Sequence, residues 1–228
     1  MQIAATTRLV ALLGHPVAGS LSPRMQNAAF AARGLDWAYV ACDVAPGDFE
    51  TAVLGLVAAG FAGANVTTPY KEAAVGVADT DEPSVNTLVF EDRNIRGHST
   101  DAAVLGGLTA ERPVVIGGGG AAIAFRKALP QARVFARRGE WPPDVGDADL
   151  VVNATSEREE VLVELGSRHT LVDLPYPETA TAKAAAAAGA QVVSGLEVLV
   201  AQGAASFELW TGIPAPVDVM RRAVGLQA

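Results

Sequence analysis

Three clusters in this chain have residue types and spacings that could carry chemistry. The first is "GANVTTPYKEA", residues 63–73, in which a small-residue apolar strand runs into two threonines, a proline and Lys71. Thr68 reads as a helix N-cap and Pro69 as the first helical residue, where a missing N–H costs nothing. Lys71 is then expected in the first helical turn, where a carboxylate would complete a capping box and a lysine does not. The helix dipole disfavours a cation there by up to about 1 kcal/mol, which favours giving up a proton.

The second cluster is a glycine turn. Gly117, Gly119 and Ala122 stand at G-x-G-x-x-A spacing between an apolar strand and a helical pattern, with Gly120 and Ala121 completing the turn. Gly117 permits the tight turn, Gly119 admits a pyrophosphate to backbone N–H groups, and Ala122 lets the helix lie close on the sheet. The helix N-terminus offers its positive dipole end to the phosphates. The competing reading is a glycine-rich βα turn with no ligand. The third cluster is Arg137 and Arg138, at the end of the next strand. An NAD site places an acid there, ~20 residues after the glycines. Arginine suits the 2′-phosphate of NADP instead, although two arginines at a strand end can also be plain solvated charge. His15, His98 and His169 have no metal-ligand spacing, and no metal site is expected.

The elements that must position these groups alternate between short apolar strands and helical patterns, which indicates α/β with mainly parallel strands. Strands are expected at 8–14, 37–44, 62–66, 132–136, 149–155, 169–174 and 190–195, with another just before the glycine turn. Helices are expected at 22–34 (Ser22 as cap, Pro23 first), 47–60, 196–210 and 217–225, with a hairpin over 84–97 turning at Asp92 to Asn94. The chain divides into two lobes, with the change near 101–110. The 228 residues, half of them hydrophobic, suffice for one large or two small domains. A net charge of −8 disfavours nucleic acid and anionic membrane as partners. The single Cys42 excludes an internal disulfide, and no apolar run approaches the ~20 residues of a membrane span, so a cytoplasmic protein is expected.

Several stretches together resemble the shikimate dehydrogenase family. "GHPVAGSLSPRMQNAAF" (14–30), "GANVTTPYKE" (63–72), "SVNTL" (84–88) and "GHSTDAAVLGGL" (97–108) are similar to its N-terminal motifs. "VDLPYPETATAKAAAAAG" (172–189) and "GLEVLVAQGAASFELWTG" (195–212) are similar to its C-terminal signatures. The resemblance implies an NADP-dependent oxidoreductase that interconverts shikimate and 3-dehydroshikimate in chorismate and aromatic amino-acid biosynthesis. It implies an N-terminal α/β substrate-binding domain, 1–101 plus 205–228, and a Rossmann-type NADP-binding domain, 102–204, with a shortened crossover. Lys71 and Asp101 become the catalytic pair. Ser20, Ser22, Thr67, Asn86, Gln202 and Tyr176 become substrate-binding residues, and Gly195 joins the cofactor site. Taken alone, Ser22 reads better as a helix N-cap and Gln202 as a solvated helix face, while Asp101 could be only a cap and Asn86 only a hairpin residue.

Departures are visible too. Gly19 and Gln26 replace two family histidines, and Ser99 replaces an asparagine. Only "GEWPPDVGDA" (139–148) joins two strands where the family has a helix and a further strand, so a loop and a smaller adenosine pocket are expected. The loop after "NAT" reads "SEREE" (156–160). Quinate or an aminoshikimate could replace shikimate as substrate. A ligand-binding protein without catalysis is the other class of reading. The partner is a small polyhydroxy carboxylate, and the chain is a monomer or homodimer.

Overall fold

The computed structural model describes residues 3–227, and it is α/β with two five-stranded sheets. Two compact units emerge: one takes the chain up to Thr100 and again from Val200, the other is Asp101–Leu199.

In the first unit the apolar runs become β1 (Arg8–Gly14), β2 (Trp37–Asp43) and β3 (Gly63–Val66), followed by the pair β4 (Thr87–Glu91) and β5 (Asn94–His98). Their order is β2-β1-β3-β4-β5, with β1 parallel to both β2 and β3 and the last two strands antiparallel. From Val10 to Leu13, β1 is buried, as a central strand covered on both faces requires. The hairpin turns at Asp92 and Arg93, both at positive φ (48° and 67°), the requirement of a tight two-residue turn that matches strand twist. Helices α1 (Ser22–Ala32) and α2 (Phe49–Ala58) supply the crossovers, and Gly60 at φ 79° follows α2. Ala11, Leu13, Val53, Val66 and Leu88 lie in one buried core cluster.

The C-terminal helices complete this unit. On α5 (Gly195–Thr211), Phe207 stacks on Phe30 at 5.4 Å, and the Trp210 indole N–H donates to the Leu88 carbonyl at 3.0 Å. α6 (Val217–Ala223) packs along α1.

Three expectations about helix starts fail. No α-helix follows β3. The Tyr70 N–H closes a turn on the Thr67 carbonyl at 3.0 Å, the Thr68–Pro69 peptide is cis, and a short 3-10 helix begins only at Ala73. Tyr70 turns inward, stacking on Phe49 at 4.8 Å and donating its hydroxyl to the Val44 carbonyl. That anchor, with Gly76 between two β-branched valines downstream, outweighs the capping signal. Lys71 therefore sits in a turn, and the helix-dipole argument does not apply to it. Similarly, Leu21 rather than Ser22 is the N-cap of α1, and Ser22 is already helical. The run from Asp101 is a 3-10 helix, Asp101–Gly107, with Asp101 as its first residue rather than an α-helical cap.

The second unit contains β6 (Pro113–Ile116), β7 (Arg133–Phe135), β8 (Leu150–Asn153), β9 (Thr170–Asp173) and β10 (Gln191–Val193), all parallel, in the order β10-β9-β8-β6-β7. Helices α3 (Gly120–Ala128) and α4 (Ala180–Ala187) join strands within it. The strand order reverses at β6, which makes its C-terminal end a topological switch point. The connection from β7 to β8 carries no helix, as its Pro-Pro pair and length predict.

Candidate active site

Four polar side chains, Tyr39, Asn65, Thr87 and Ser206, are buried together in the first unit. Asn65, on a strand with all four residues buried, uses Nδ2 to donate to the Asn86 carbonyl (3.0 Å), Thr87 Oγ1 (3.1 Å) and Ser206 Oγ (3.0 Å). Its Oδ1 accepts the Tyr39 hydroxyl at 2.8 Å. Thr87 Oγ1 and Ser206 Oγ are 2.8 Å apart and share one hydrogen bond. A buried network satisfied this completely is rigid, because every alternative arrangement strands a polar group without water.

This floor holds up Asn86. The Asn86 amide oxygen accepts the Thr100 N–H at 2.7 Å, and Nδ2 donates to Thr100 Oγ1 at 2.9 Å and reaches Gln202 Oε1 at 3.4 Å. Gln202 lies one helical turn before Ser206 on α5, and the Ser206 hydroxyl donates back to its carbonyl at 2.9 Å. Lys71, half-buried, is fixed through its backbone: its carbonyl accepts the N–H of Val85, the residue before Asn86, at 2.9 Å. Asp101, 6% exposed, directly follows Thr100.

Ser20 and Ser22 belong to the segment after β1, and Thr67 follows β3, so parallel strands bring them out at one sheet edge. The Ser22 N–H donates to Ser20 Oγ at 3.2 Å, and the His15 N–H to the Thr68 carbonyl at 3.1 Å, which ties the two loops together. Gln26, at a family histidine position, is wholly buried and donates from Nε2 to the Gly203 carbonyl at 2.9 Å. Sequence reasoning named Asn86 and Gln202 but overlooked Tyr39, Asn65, Thr87, Thr100 and Ser206. The available signal was an asparagine inside the apolar strand "GANV" and a serine one turn after Gln202.

In the second unit the glycine turn sits at the switch point. Gly117 has φ 137°, donates its N–H to the Phe135 carbonyl at 2.8 Å, and would press any Cβ onto the Ala154 carbonyl oxygen at 2.9 Å. Gly119 caps α3 with no side-chain hydrogen bond, and nothing lies within 4 Å of the place its Cβ would take. Gly120 and Ala121 are half-buried and Ala122 is buried. The N-terminus of α3 thus has open space beside Gly119, which fits a pyrophosphate. Gly195 is forced by packing, since a Cβ there would meet the Leu174 carbonyl oxygen at 2.6 Å. Tyr176 is half-buried in the loop after β9.

Arg137 is engaged. Its Nη2 donates to Glu160 Oε2 at 2.8 Å and lies 3.8 Å from Glu157 Oε2, while the guanidinium sits 5.4 Å over the Trp141 ring. Arg138 is exposed. Asp173 accepts from Asn153 Nδ2 (2.7 Å) and from the Thr179 hydroxyl (2.9 Å). Burial nevertheless pushes its carboxyl above the usual range, with the donors pulling the other way. Among the described residues no three His, Cys, Asp or Glu gather as a metal site, and no helix is long and apolar enough to cross a membrane.

Two family models match the chain: the shikimate dehydrogenase substrate binding domain over residues 12–88, and the shikimate 5′-dehydrogenase C-terminal domain over residues 195–224. The chain is 41% identical to a shikimate dehydrogenase (NADP(+)) of Moorella thermoacetica, covering 97% of this chain and 94% of that protein. The shikimate dehydrogenase of Aquifex aeolicus has a similar structure, with TM-score 0.86 and 31% identity, covering 98% of this chain and 100% of that one. That of Thermus thermophilus, solved in complex with NADP(H) and shikimate, gives TM-score 0.82 and 30% identity, covering 95% of this chain and 98% of that one.

Proposed function

The chain belongs to the shikimate dehydrogenase family, and from that premise we propose that it oxidises shikimate to 3-dehydroshikimate with NADP and runs the reverse reduction. The observation that carries the reading is the Asn86 constellation. One buried amide holds Thr100 and reaches Gln202, beside the backbone that carries Lys71 on one side and just before Asp101 on the other.

A bound NADP would supply the hydride acceptor for the alcohol carbon and, in its reduced form, the hydride donor for the ketone. Gly117, Gly119, Gly120, Ala121 and Ala122 would hold its pyrophosphate, Arg137 and Arg138 its 2′-phosphate, and Gly195 its nicotinamide end. Lys71 takes the hydroxyl proton as the O–H bond breaks and delivers it in the reverse direction. Asp101 is the second member of the proposed catalytic pair. Ser20, Ser22, Thr67, Asn86, Gln202 and Tyr176 hold the hydroxyls and carboxylate with neutral groups that do not compete as charges. In this reading the unit that runs to Thr100 and again from Val200, which includes Gln202, is the substrate domain, and Asp101–Leu199 is the cofactor domain, close to the 1–101 plus 205–228 and 102–204 expected from sequence. With a lone cysteine and an acidic net charge, a cytoplasmic setting fits this reading.

The test is formation of reduced cofactor from purified protein, NADP⁺ and shikimate, with quinate and an aminoshikimate as parallel substrates. Turnover with shikimate is expected. Binding of shikimate without turnover on any of the three would mark a binding protein instead. Lys71→Ala should lower kcat by about 10²–10⁴ with little change in KM, the signature of a lost proton-transfer group. A near-normal kcat in that variant removes Lys71 from the mechanism.

A further inference from the structure

We propose that Glu157 and Glu160 set cofactor preference: they hold Arg137 in an acidic clasp that competes with the adenosine-ribose phosphate for its guanidinium. This rests on the reading of Arg137 as a phosphate-binding residue. Three observations, all within the second unit, carry it.

The first is which atoms are used. Arginine reads a phosphate through two parallel N–H groups of its planar fork. Here Nη2 meets Glu160 at 2.8 Å and faces Glu157 at 3.8 Å, so every two-pronged grip that uses Nη2 already contends with a carboxylate. The Trp141 ring, 5.4 Å from the guanidinium, covers one face and limits how it can turn away.

The second is that the clasp is built in advance. Glu157 Oε1 accepts the backbone N–H groups of Arg158 (2.9 Å), Glu159 (2.9 Å) and Glu160 (3.3 Å), so its own loop fixes the carboxylate. The Glu157 N–H donates to Thr155 Oγ1 at 3.2 Å, and the Thr155 hydroxyl donates to Asn153 Oδ1 at 2.8 Å, which ties the loop to the end of β8. Those backbone donors, with Arg137 adding a smaller pull, hold the Glu157 carboxyl below its usual range, so it stays ionised at neutral pH.

The third is placement. β7 and β8 flank β6 and both run parallel to it, so the glycine turn, Arg137 and the acidic loop all leave the sheet at the carboxyl ends of its strands. The acids therefore stand at the edge where an arginine after β7 would otherwise meet the cofactor phosphate.

The probe is adenosine bearing phosphates at both the 2′ and 5′ positions, compared with adenosine 5′-monophosphate, titrated calorimetrically into the full-length protein. Glu160→Gln should tighten the doubly phosphorylated ligand about two- to fivefold, the range for one exposed ion pair, and leave the monophosphate unchanged. Adding Glu157→Gln should tighten it again. Where NADP⁺ turnover is measured, its KM should fall in parallel while the KM for NAD⁺ stays put. Arg137→Ala should weaken the doubly phosphorylated ligand and abolish the effect of Glu160→Gln. The proposal is overturned if Glu160→Gln changes neither ligand, changes both equally, or keeps its effect without Arg137. If Arg138→Ala alone weakens the ligand, the clasp is again overturned, while the oxidoreductase reading stands or falls on turnover.

Discussion

Asn65→Ala tests whether the buried polar floor organises the site. The alanine removes one acceptor and three donor contacts in a region where Asn65 is 5% exposed and Tyr39 is 2% exposed. The losses are unequal. The Asn86 carbonyl keeps the Val66 N–H at 2.8 Å, and Thr87 and Ser206 keep each other at 2.8 Å. The Tyr39 hydroxyl loses the acceptor it has in Asn65, a cost of about 1–3 kcal/mol for a buried polar group. A small void where the amide stood raises the total to about 2–4 kcal/mol. Urea unfolding should show a lower midpoint at unchanged m-value. Because Asn86 and Gln202 both rest on this floor, KM for shikimate should rise several-fold while kcat falls less. A double cycle with Tyr39→Phe should reveal coupling between the two residues, since each variant removes one end of the same 2.8 Å hydrogen bond. Loss of under about 1 kcal/mol, with unchanged KM, would refute the argument that the network positions the site.

Two further perturbations follow from packing and charge. Gly63→Ala should destabilise by about 2–4 kcal/mol through overpacking and a broken indole hydrogen bond, because a Cβ there would meet Trp210 Cδ1 at 2.8 Å and crowd the Leu88 carbonyl that accepts the indole N–H. A thermal midpoint unchanged within error would contradict it. For Asp173, burial raises the native carboxyl above its unfolded value. Between those two values the folded state holds more protons than the unfolded state, so this group makes stability fall as pH rises through that window and flat beyond it. The stability difference between the parent and Asp173→Asn should carry that downward slope in mildly acidic solution, and a flat difference would remove the assignment.

Much of the fold was legible because its signals are local. Runs such as "LVALL" and "PVVI" become buried parallel strands, Gly60 and Gly117 take positive φ, and Asp92 leads the hairpin turn. The failed helix after β3 shows the limit of such signals. Thr68 and Pro69 are a sound capping pair by chemistry, yet the segment answers to Tyr70, whose ring and hydroxyl find partners in Phe49 and Val44 from distant sequence. A tyrosine's burial partner is a tertiary fact, and it decides the backbone ahead of the local preference of its neighbours.

The same distinction separates the two kinds of residue at the site. Lys71, Asp101, Asn86 and Gln202 announce themselves by residue type within recognisable motifs. Asn65, Thr87, Thr100 and Ser206 do not, because a small polar side chain gains meaning only once it is buried among others. The two sets are nonetheless interleaved in sequence: Asn65 stands beside the Thr67 loop, Thr87 follows Asn86, Thr100 precedes Asp101, and Ser206 lies one turn beyond Gln202. Each of the proposed site residues is thereby anchored by a buried neighbour on its own segment. Lys71 follows the same rule through its backbone, held by the N–H of Val85 rather than by a helix. Its placement therefore depends on the strand pair that also carries Asn86, so substitutions in the floor should act on substrate binding and geometry together, whereas removal of the Lys71 amine should act on the chemical step.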